Sequence, residues 1–399
     1  MAQTGNIRLD PGDKEKSIVE VLKEVNVSAF LDRWGPAHVL QVYDPDINMH
    51  GVLVIDNTTL GPSCGGIKIL PNITPFKIFH DARTMTLTCA LADIALGGAS
   101  AGVRADPSRM DRARIIRSFA KQVSPYVPDE YIAAPDMNTT QEDMAIFAHE
   151  VQDRRGATGK PENMGGIPYE LGVIGLGMGI AVQSLCSIIR STQWFKPDMA
   201  EPRIAINGFD EIGYPLAKYL SNNGERIVAI SDDNHTLYEP AGLDMQKIQR
   251  AALTPNERYS LRHCRQGKRL PKEDIVKVDC DIFIAATGTK IISDNNLCDL
   301  KAKCVIEGAD YPLGIDDALL EERGILVLPN IVTTAGAAIS SYAELHGHNR
   351  ESAFSMIASK IKGVTQLVMQ KTLESGISPR RIAREIAEER LLSVKGGAG

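Results

Sequence analysis

The stretch Ile206-Asn207-Gly208-Phe209-Asp210-Glu211-Ile212-Gly213 has the spacing that points most directly to chemistry in this 399-residue chain. It lies between a β-branched run, RIAINGF, and a helical pattern. Gly208 and Gly213 stand where a dinucleotide fingerprint places its first and third glycines. The first allows a tight turn, and the third lets strand and helix pack closely, so that a helix N-terminus faces a diphosphate. The second strand of the unit ends in Asp232, nineteen residues past Gly213, where an acid would hold a ribose 2′-hydroxyl. Ala286 and Thr287, at the end of a later strand, belong to the same candidate cofactor set.

The middle glycine of the fingerprint is replaced by Asp210, and Glu211 follows it. That glycine exists so that backbone can approach the pyrophosphate. A carboxylate beside a phosphate at about 4 Å costs about 4 kcal/mol at an effective dielectric of 20, which is roughly a thousandfold in affinity. The other reading is that Asp210 turns outward or caps the helix N-terminus. Capping would still occupy the amides that phosphate needs.

The elements that must position these residues are readable from periodicity. RIAINGF, RIVAISD, CDIFIAAT, KCVIEGAD and ILVLPNI are strands alternating with helices, which implies a parallel sheet covered on both faces. Before them, GVLVIDNTTLG reads as a strand running into a turn, and ITPFKIFHDARTMTLTCALADI carries helical spacing. SRMDRARIIRSFAKQV is an amphipathic helix with Ile115, Ile116, Phe119 and Val123 on one side. The turn-rich ATGKPENMGG, residues 157–166, marks a domain boundary. A helix is expected from about Tyr169 to Arg190, and two more close the chain, Glu351 to Leu373 and Pro379 to Leu392. The basic run Arg262 to Lys272 reads as a solvated loop or helix end. The fold class is thus α/β in two domains. Residues 1–160 form a mixed-sheet substrate and oligomerisation domain, and 161–347 a Rossmann-like domain. Residues 348–399 pack back across the hinge.

Composition bounds the function. Hydrophobic residues make up 43% and charged residues 24%, ordinary for a globular chain. Lys+Arg is 44 against Asp+Glu 50, a net charge of −6, which argues against a general nucleic-acid binder. The longest apolar run, Leu171 to Val182, is too short and too glycine-rich for a membrane span, and the N-terminus lacks a secretory pattern. Seven cysteines without a C-x-x-C pair suit a reduced, cytoplasmic protein. No His or Cys stands at ligand spacing near the acids, so no metal is expected. His346 and His348 read as surface or helix-end residues. Ser100 and Cys89 lack a Ser–His or Cys–His signature.

The segments DNTTLGPSCGGIKI, MTLTCALADIALGGASAGV, APDMNTT, TGKPENMGG, NGFDEIG, EGAD and TAGAAISSYAELHGHNRESA together resemble the glutamate/leucine/phenylalanine/valine dehydrogenase family, from about Gln41 to Leu392. The opening DNTTLGP and the closing ELHGHNRE look more like the leucine and phenylalanine enzymes. The resemblance implies NAD as cofactor, a small-molecule ligand, and a homo-oligomer, hexamer or octamer. It makes Asp136 the catalytic aspartate. It places Cys64, Gly65, Gly66, Ala134, Asp310, Ala338 and Ser341 at the substrate pocket.

The same resemblance exposes departures. The lysine that would grip a substrate carboxylate is Thr88, and the catalytic lysine is Ser100. Two asparagines are Asp310 and Thr334, and a threonine near the nicotinamide is Ile174. Neither Thr88 nor Ser100 can carry positive charge, and losing one such donor costs on the order of 10²–10³ in rate. The acids Asp136, Asp210 and Asp310, if buried together, would disfavour a carboxylate substrate and suit a cationic amine or a metal; otherwise they face solvent or bond local backbone. The expectation is a chain that has lost NAD-dependent oxidative deamination and acts as a catalytically silent binding, regulatory or structural oligomer. The alternative is an NAD(P)-dependent oxidoreductase acting on the CH–NH2 group of a non-standard amine, imine or amino acid.

Overall fold

The structure is a computed structural model and describes residues 31–106, 111–192, 201–252, 259–288, 290–309 and 312–397. Five strands build the first sheet: β1 (His38–Asp44), β2 (Met49–Asn57), β3 (Ser63–Leu70), β4 (Gly97–Arg104) and β5 (Tyr131–Pro135). Their order is β1-β2-β4-β3-β5. β1, β2 and β4 pair antiparallel, whereas β3 runs parallel to both β4 and β5. The alternation of β3 decides what the sheet positions. Ile67 and Ile69 enter an apolar cluster with Phe119 and Phe147. Lys68, between them, points to the opposite face.

That face is covered by α1 (Pro75–Leu91), which starts on a Thr74 cap with proline in its first turn. The helix lies very close to β4, because a Cβ on Gly98 would sit 2.1 Å from the Thr86 amide nitrogen. The other face carries α2 (Arg112–Val123) and α3 (Gln141–Glu150), with Ile115, Ile116, Phe119 and Val123 buried as their spacing predicts.

A glycine in the left-handed region, Gly172 (φ +85°), precedes α4 (Val173–Ser191). Among the described residues α4 alone is long and apolar enough to cross a membrane, and 67% of that apolar window is buried inside the fold. The second sheet contains β6 (Arg203–Asn207), β7 (Arg226–Ser231), β8 (His235–Tyr238), β9 (Lys268–Pro271), β10 (Ile282–Ala285), β11 (Cys304–Glu307) and β12 (Leu326–Leu328). Its order is β12-β11-β10-β6-β7-β8-β9. The five strands from β12 to β7 are parallel, as expected. β8 and β9 extend the sheet antiparallel, which the sequence pattern did not announce. The basic run therefore contains an edge strand rather than only a loop or helix end. Arg269 anchors it by donating to the Arg262 and Cys264 carbonyls at 2.9 and 3.1 Å.

The order reverses at β6, so the crevice for a ligand lies beyond the carboxyl ends of β6 and its neighbours β7 and β10. There α5 (Gly213–Asn222) begins, and α6 (Met245–Ala252) and α7 (Asp317–Glu322) follow along the chain. After β12 come α8 (Asn330–Thr333), α9 (Gly336–Leu345), α10 (Arg350–Ser375) and α11 (Pro379–Gly397). The last two contact both sheets' domains. Arg390 of α11 pairs with Asp93 beyond α1, and Arg380 pairs with Glu307 of β11 at 2.6 Å. Lys360 of α10 donates to the Ala92 and Asp93 carbonyls at 3.1 and 2.8 Å.

Candidate active site

β3 delivers Lys68, α1 delivers Asp81, and the chain leaving β5 delivers Asp136. The Lys68 side chain is 2% exposed and Asp81 4%, while Asp136 keeps 28%. Lys68 Nζ lies 3.1 Å from Asp81 Oδ2 and is ion-paired with Asp136 Oδ2. Lys77 reaches Asp81 Oδ2 at 3.1 Å, one helical turn earlier on α1. The other oxygen of Asp136 accepts from the Met137 amide at 2.7 Å. Two ammonium groups thus face two carboxylates. Burial makes the balance obligatory, because an unpaired charge there would bear its full desolvation cost. The close approach needs Gly66, where a Cβ would lie 2.5 Å from Asp136 Cβ; at Gly65 it would meet the Ala99 carbonyl oxygen at 2.0 Å.

Thr88 and Ser100, where the resemblance implies lysines, are both buried. The Thr88 hydroxyl donates to the Thr84 carbonyl of its own helix at 2.8 Å. Ser100, on β4, is 2% exposed, and its Oγ has no hydrogen-bond partner. Burial, partly offset by hydrogen bonds to Ser341 and Thr158, pushes the Cys64 thiol up to about 11, and burial holds Cys89 well above its ordinary value. Both are protonated small apolar groups rather than nucleophiles.

A hydroxyl cluster links the first sheet to α9. Cys64 Sγ lies 4.0 Å from Thr158 Oγ1, which is 2.8 Å from Ser341 Oγ. The Tyr169 hydroxyl is 2.7 Å from the same Ser341 Oγ and donates to the Ala337 carbonyl at 3.1 Å. Ala134 and Ala338 are buried. Below them Glu344 accepts from the Gly159 and Ile167 amides at 2.8 and 2.7 Å, and pairs with the buried Lys160 at 2.5 Å.

In the second domain, Asp210 takes the capping position. Its Oδ1 accepts from the Ile212 and Gly213 amides at 2.9 and 2.8 Å. The turn itself keeps its shape: Gly208 has φ +126°, and a Cβ on Gly213 would meet the Gly208 carbonyl oxygen at 2.1 Å. Glu211 is exposed, Ile212 is half-buried, and Phe209 is buried against Tyr214 and Tyr259. Asp232 is 6% exposed and accepts from the Asn234, His235 and Leu261 amides at 2.8, 2.9 and 2.8 Å. Thr287 accepts from Asn207 Nδ2 at 3.0 Å, beside the buried Ala286. The Ile212 and Gly213 amides of this turn are therefore taken by a side-chain carboxylate.

Asp136 and Asp210 answer to separate partners in separate domains, so they do not form one acidic pocket. Asp310 lies outside the described residues. Thr334 donates to the Asn330 carbonyl at 2.8 Å, and Ile174 is half-buried on α4. His346 is exposed and His348 half-buried, beside Tyr342 and Ser352. Among the described residues, no group of three or more His, Cys, Asp or Glu could hold a metal ion.

Comparison with known proteins fits this layout. Residues 165–396 match the Glutamate/Leucine/Phenylalanine/Valine dehydrogenase model, and 36–153 match that family's dimerisation domain. The chain belongs to this family. It is 31% identical over 299 residues to an NADP-specific glutamate dehydrogenase of Saccharolobus shibatae, covering 72% of this chain and 69% of that one. It is 30% identical over 330 residues to a glutamate dehydrogenase of Aeropyrum pernix, covering 79% and 76%. Its fold resembles the hetero-hexameric glutamate dehydrogenase of Thermus thermophilus in a Leu-bound form, with TM-score 0.79, 22% identity, and 96% and 95% of the two chains covered. It also resembles the L-tryptophan dehydrogenase of Nostoc punctiforme, with TM-score 0.65, 21% identity, and 95% and 100% covered. Curated family members use NAD or NADP.

Sequence reasoning did not single out Lys68, Asp81, Thr158 or Tyr169, which the structure brings to the same region. Lys68 left one signal, a lysine in the inward register of an otherwise apolar strand, CGGIKIL. Tyr169 left none, because nothing local says that the turn before α4 reaches α9.

Proposed function

We propose that this family member no longer carries out NAD-dependent oxidative deamination and serves as a non-catalytic binding or regulatory subunit of an oligomer. The observation that carries the reading is the state of Lys68. It is the cation this site retains at the sheet face, and Asp81 and Asp136 both hold it. A substrate carboxylate would have to displace a buried carboxylate to reach it. The commitment of the Ile212 and Gly213 amides to Asp210 supports the same reading on the cofactor side. Assembly follows from the family's dimerisation domain, and the hetero-hexameric neighbour makes a mixed oligomer as natural as a homo-oligomer.

A second reading rests on Lys68 too. A lysine beside Asp136 is an acid–base pair, and without a free carboxylate anchor it would suit a neutral or cationic amine rather than an amino acid. A panel assay separates the readings. Purified protein is tested with NAD and NADP on amino acids and simple amines, and with NADH and NADPH on 2-oxo acids and ammonia. The expected result is no turnover above a Lys68→Met, Asp136→Asn control. Turnover of an amine alone favours the second reading, and turnover of an amino acid overturns both.

A further inference from the structure

Tyr169 sits on the short turn Tyr169–Leu171 between the two domains. Its neighbours on both sides are fixed. Glu170 accepts from the Gln141 amide at 3.1 Å, at the start of α3 in the first domain. The Tyr169 hydroxyl reaches Ser341 and the Ala337 carbonyl at the start of α9, in the second. A Cβ on Gly159 would lie 3.5 Å from the Tyr169 ring and 2.6 Å from the Pro135 ring, so the phenol lies close to the strand end that carries Asp136. The ring thus lies among Gly159, Ala337 and Ser341. Thr158 and Cys64 are the next shell through Ser341. These are the walls on which a ligand side chain would rest.

We infer that Tyr169 is an internal occupant of the side-chain pocket and limits the cleft to ligands with little or no side chain. Its hydroxyl is a second partner for the fully buried Ser341 Oγ, which already meets Thr158 Oγ1, and so takes up hydrogen-bonding capacity that a ligand could use. Its ring takes the apolar volume. A ligand with a large side chain must expel a tyrosine that makes two hydrogen bonds, whereas glycine or a small amine need not. The inference rests on the amino-acid cleft lying where the family layout puts it, and does not depend on turnover.

The test is calorimetric titration of wild type, Tyr169→Phe, Tyr169→Gly and Tyr169→Val with glycine, L-alanine, L-leucine and L-phenylalanine. The valine variant retains part of the packing should glycine fail to fold. Either folded, truncated variant should bind L-leucine or L-phenylalanine at least tenfold more tightly than wild type, with glycine changed less than threefold. Tyr169→Phe, which keeps the ring but loses both hydrogen bonds, should fall between wild type and the truncated variants toward the large ligands. A merely structural role would shift all four ligands together. Folded truncations that gain nothing for the large side chains, or a wild type that binds L-phenylalanine as tightly as glycine, would overturn the inference. If every variant stays silent toward large ligands while wild type turns over glutamate, the occupant role and the non-catalytic reading fail separately.

Discussion

At the scale of single residues, Asp210 and Lys68 hold opposite positions. Asp210 is an acid in the turn before α5, where two amides satisfy it. Replacing it by glycine frees those amides and removes the repulsion. NADH affinity is expected to rise tenfold or more in Asp210→Gly, read by nucleotide fluorescence, with a stability loss of only a few tenths of a kcal/mol. Lys68 is a buried cation held by two acids. Lys68→Met leaves Asp81 to the partly exposed Lys77 and takes the ammonium from Asp136, and should cost about 3–5 kcal/mol in urea unfolding. Adding Asp136→Asn should recover part of that loss, which a simple cavity would not allow. The sequence disclosed Asp210 because a motif fixed its place, but left open whether the carboxylate faces a phosphate, turns outward or caps the helix. It did not disclose the Lys68 pairing, because partners 13 and 68 residues away along the chain meet only through the tertiary fold.

At the scale of elements, the α11 contacts show where local pattern stops being informative. α4, α5 and the closing helices α10 and α11 were legible from period and punctuation, and the five parallel strands from β-branched runs, whereas α6 to α9 were not singled out. The antiparallel β8–β9 extension was not, because KRLP is a short basic strand whose pairing is set by its neighbours. Nor did period reveal what α11 grips. Arg33 reaches Glu388 at 2.9 Å, and Lys395 and Arg33 lie 5.3 and 4.5 Å from the Trp34 ring centroid. Burial works to raise the Glu388 carboxyl, but Arg384 and Arg33 outweigh it and hold it below 4.5. Asp32 is likewise held below 3.8, because Arg83 and the Trp34 amide outweigh burial. A depressed folded pKa gives stability that is present above the unfolded value and lost as pH falls through the folded one. Acid should therefore loosen this end of α11 from about pH 4 downward. The check is Trp34 emission in a Trp194→Phe background, with a red shift below pH 4 that Glu388→Gln reduces.

At the scale of the whole molecule, two domains share one continuous core and close on each other through Lys160–Glu344, Thr158–Ser341 and Tyr169. The family architecture is present in both domains, and the departures lie at positions where the resemblance implies charged groups. That division is why fold was easy to read and function was not: packing positions announce themselves by period, whereas an ion pair across a cleft has no period. The direct measurement is an NADH titration of the purified, assembled protein, followed by nucleotide fluorescence with NADPH alongside. No saturable binding up to millimolar nucleotide is expected, since Asp210 already holds the amides of the turn. Saturation at micromolar nucleotide would contradict the loss of the cofactor site and return the chain to the redox chemistry of its family.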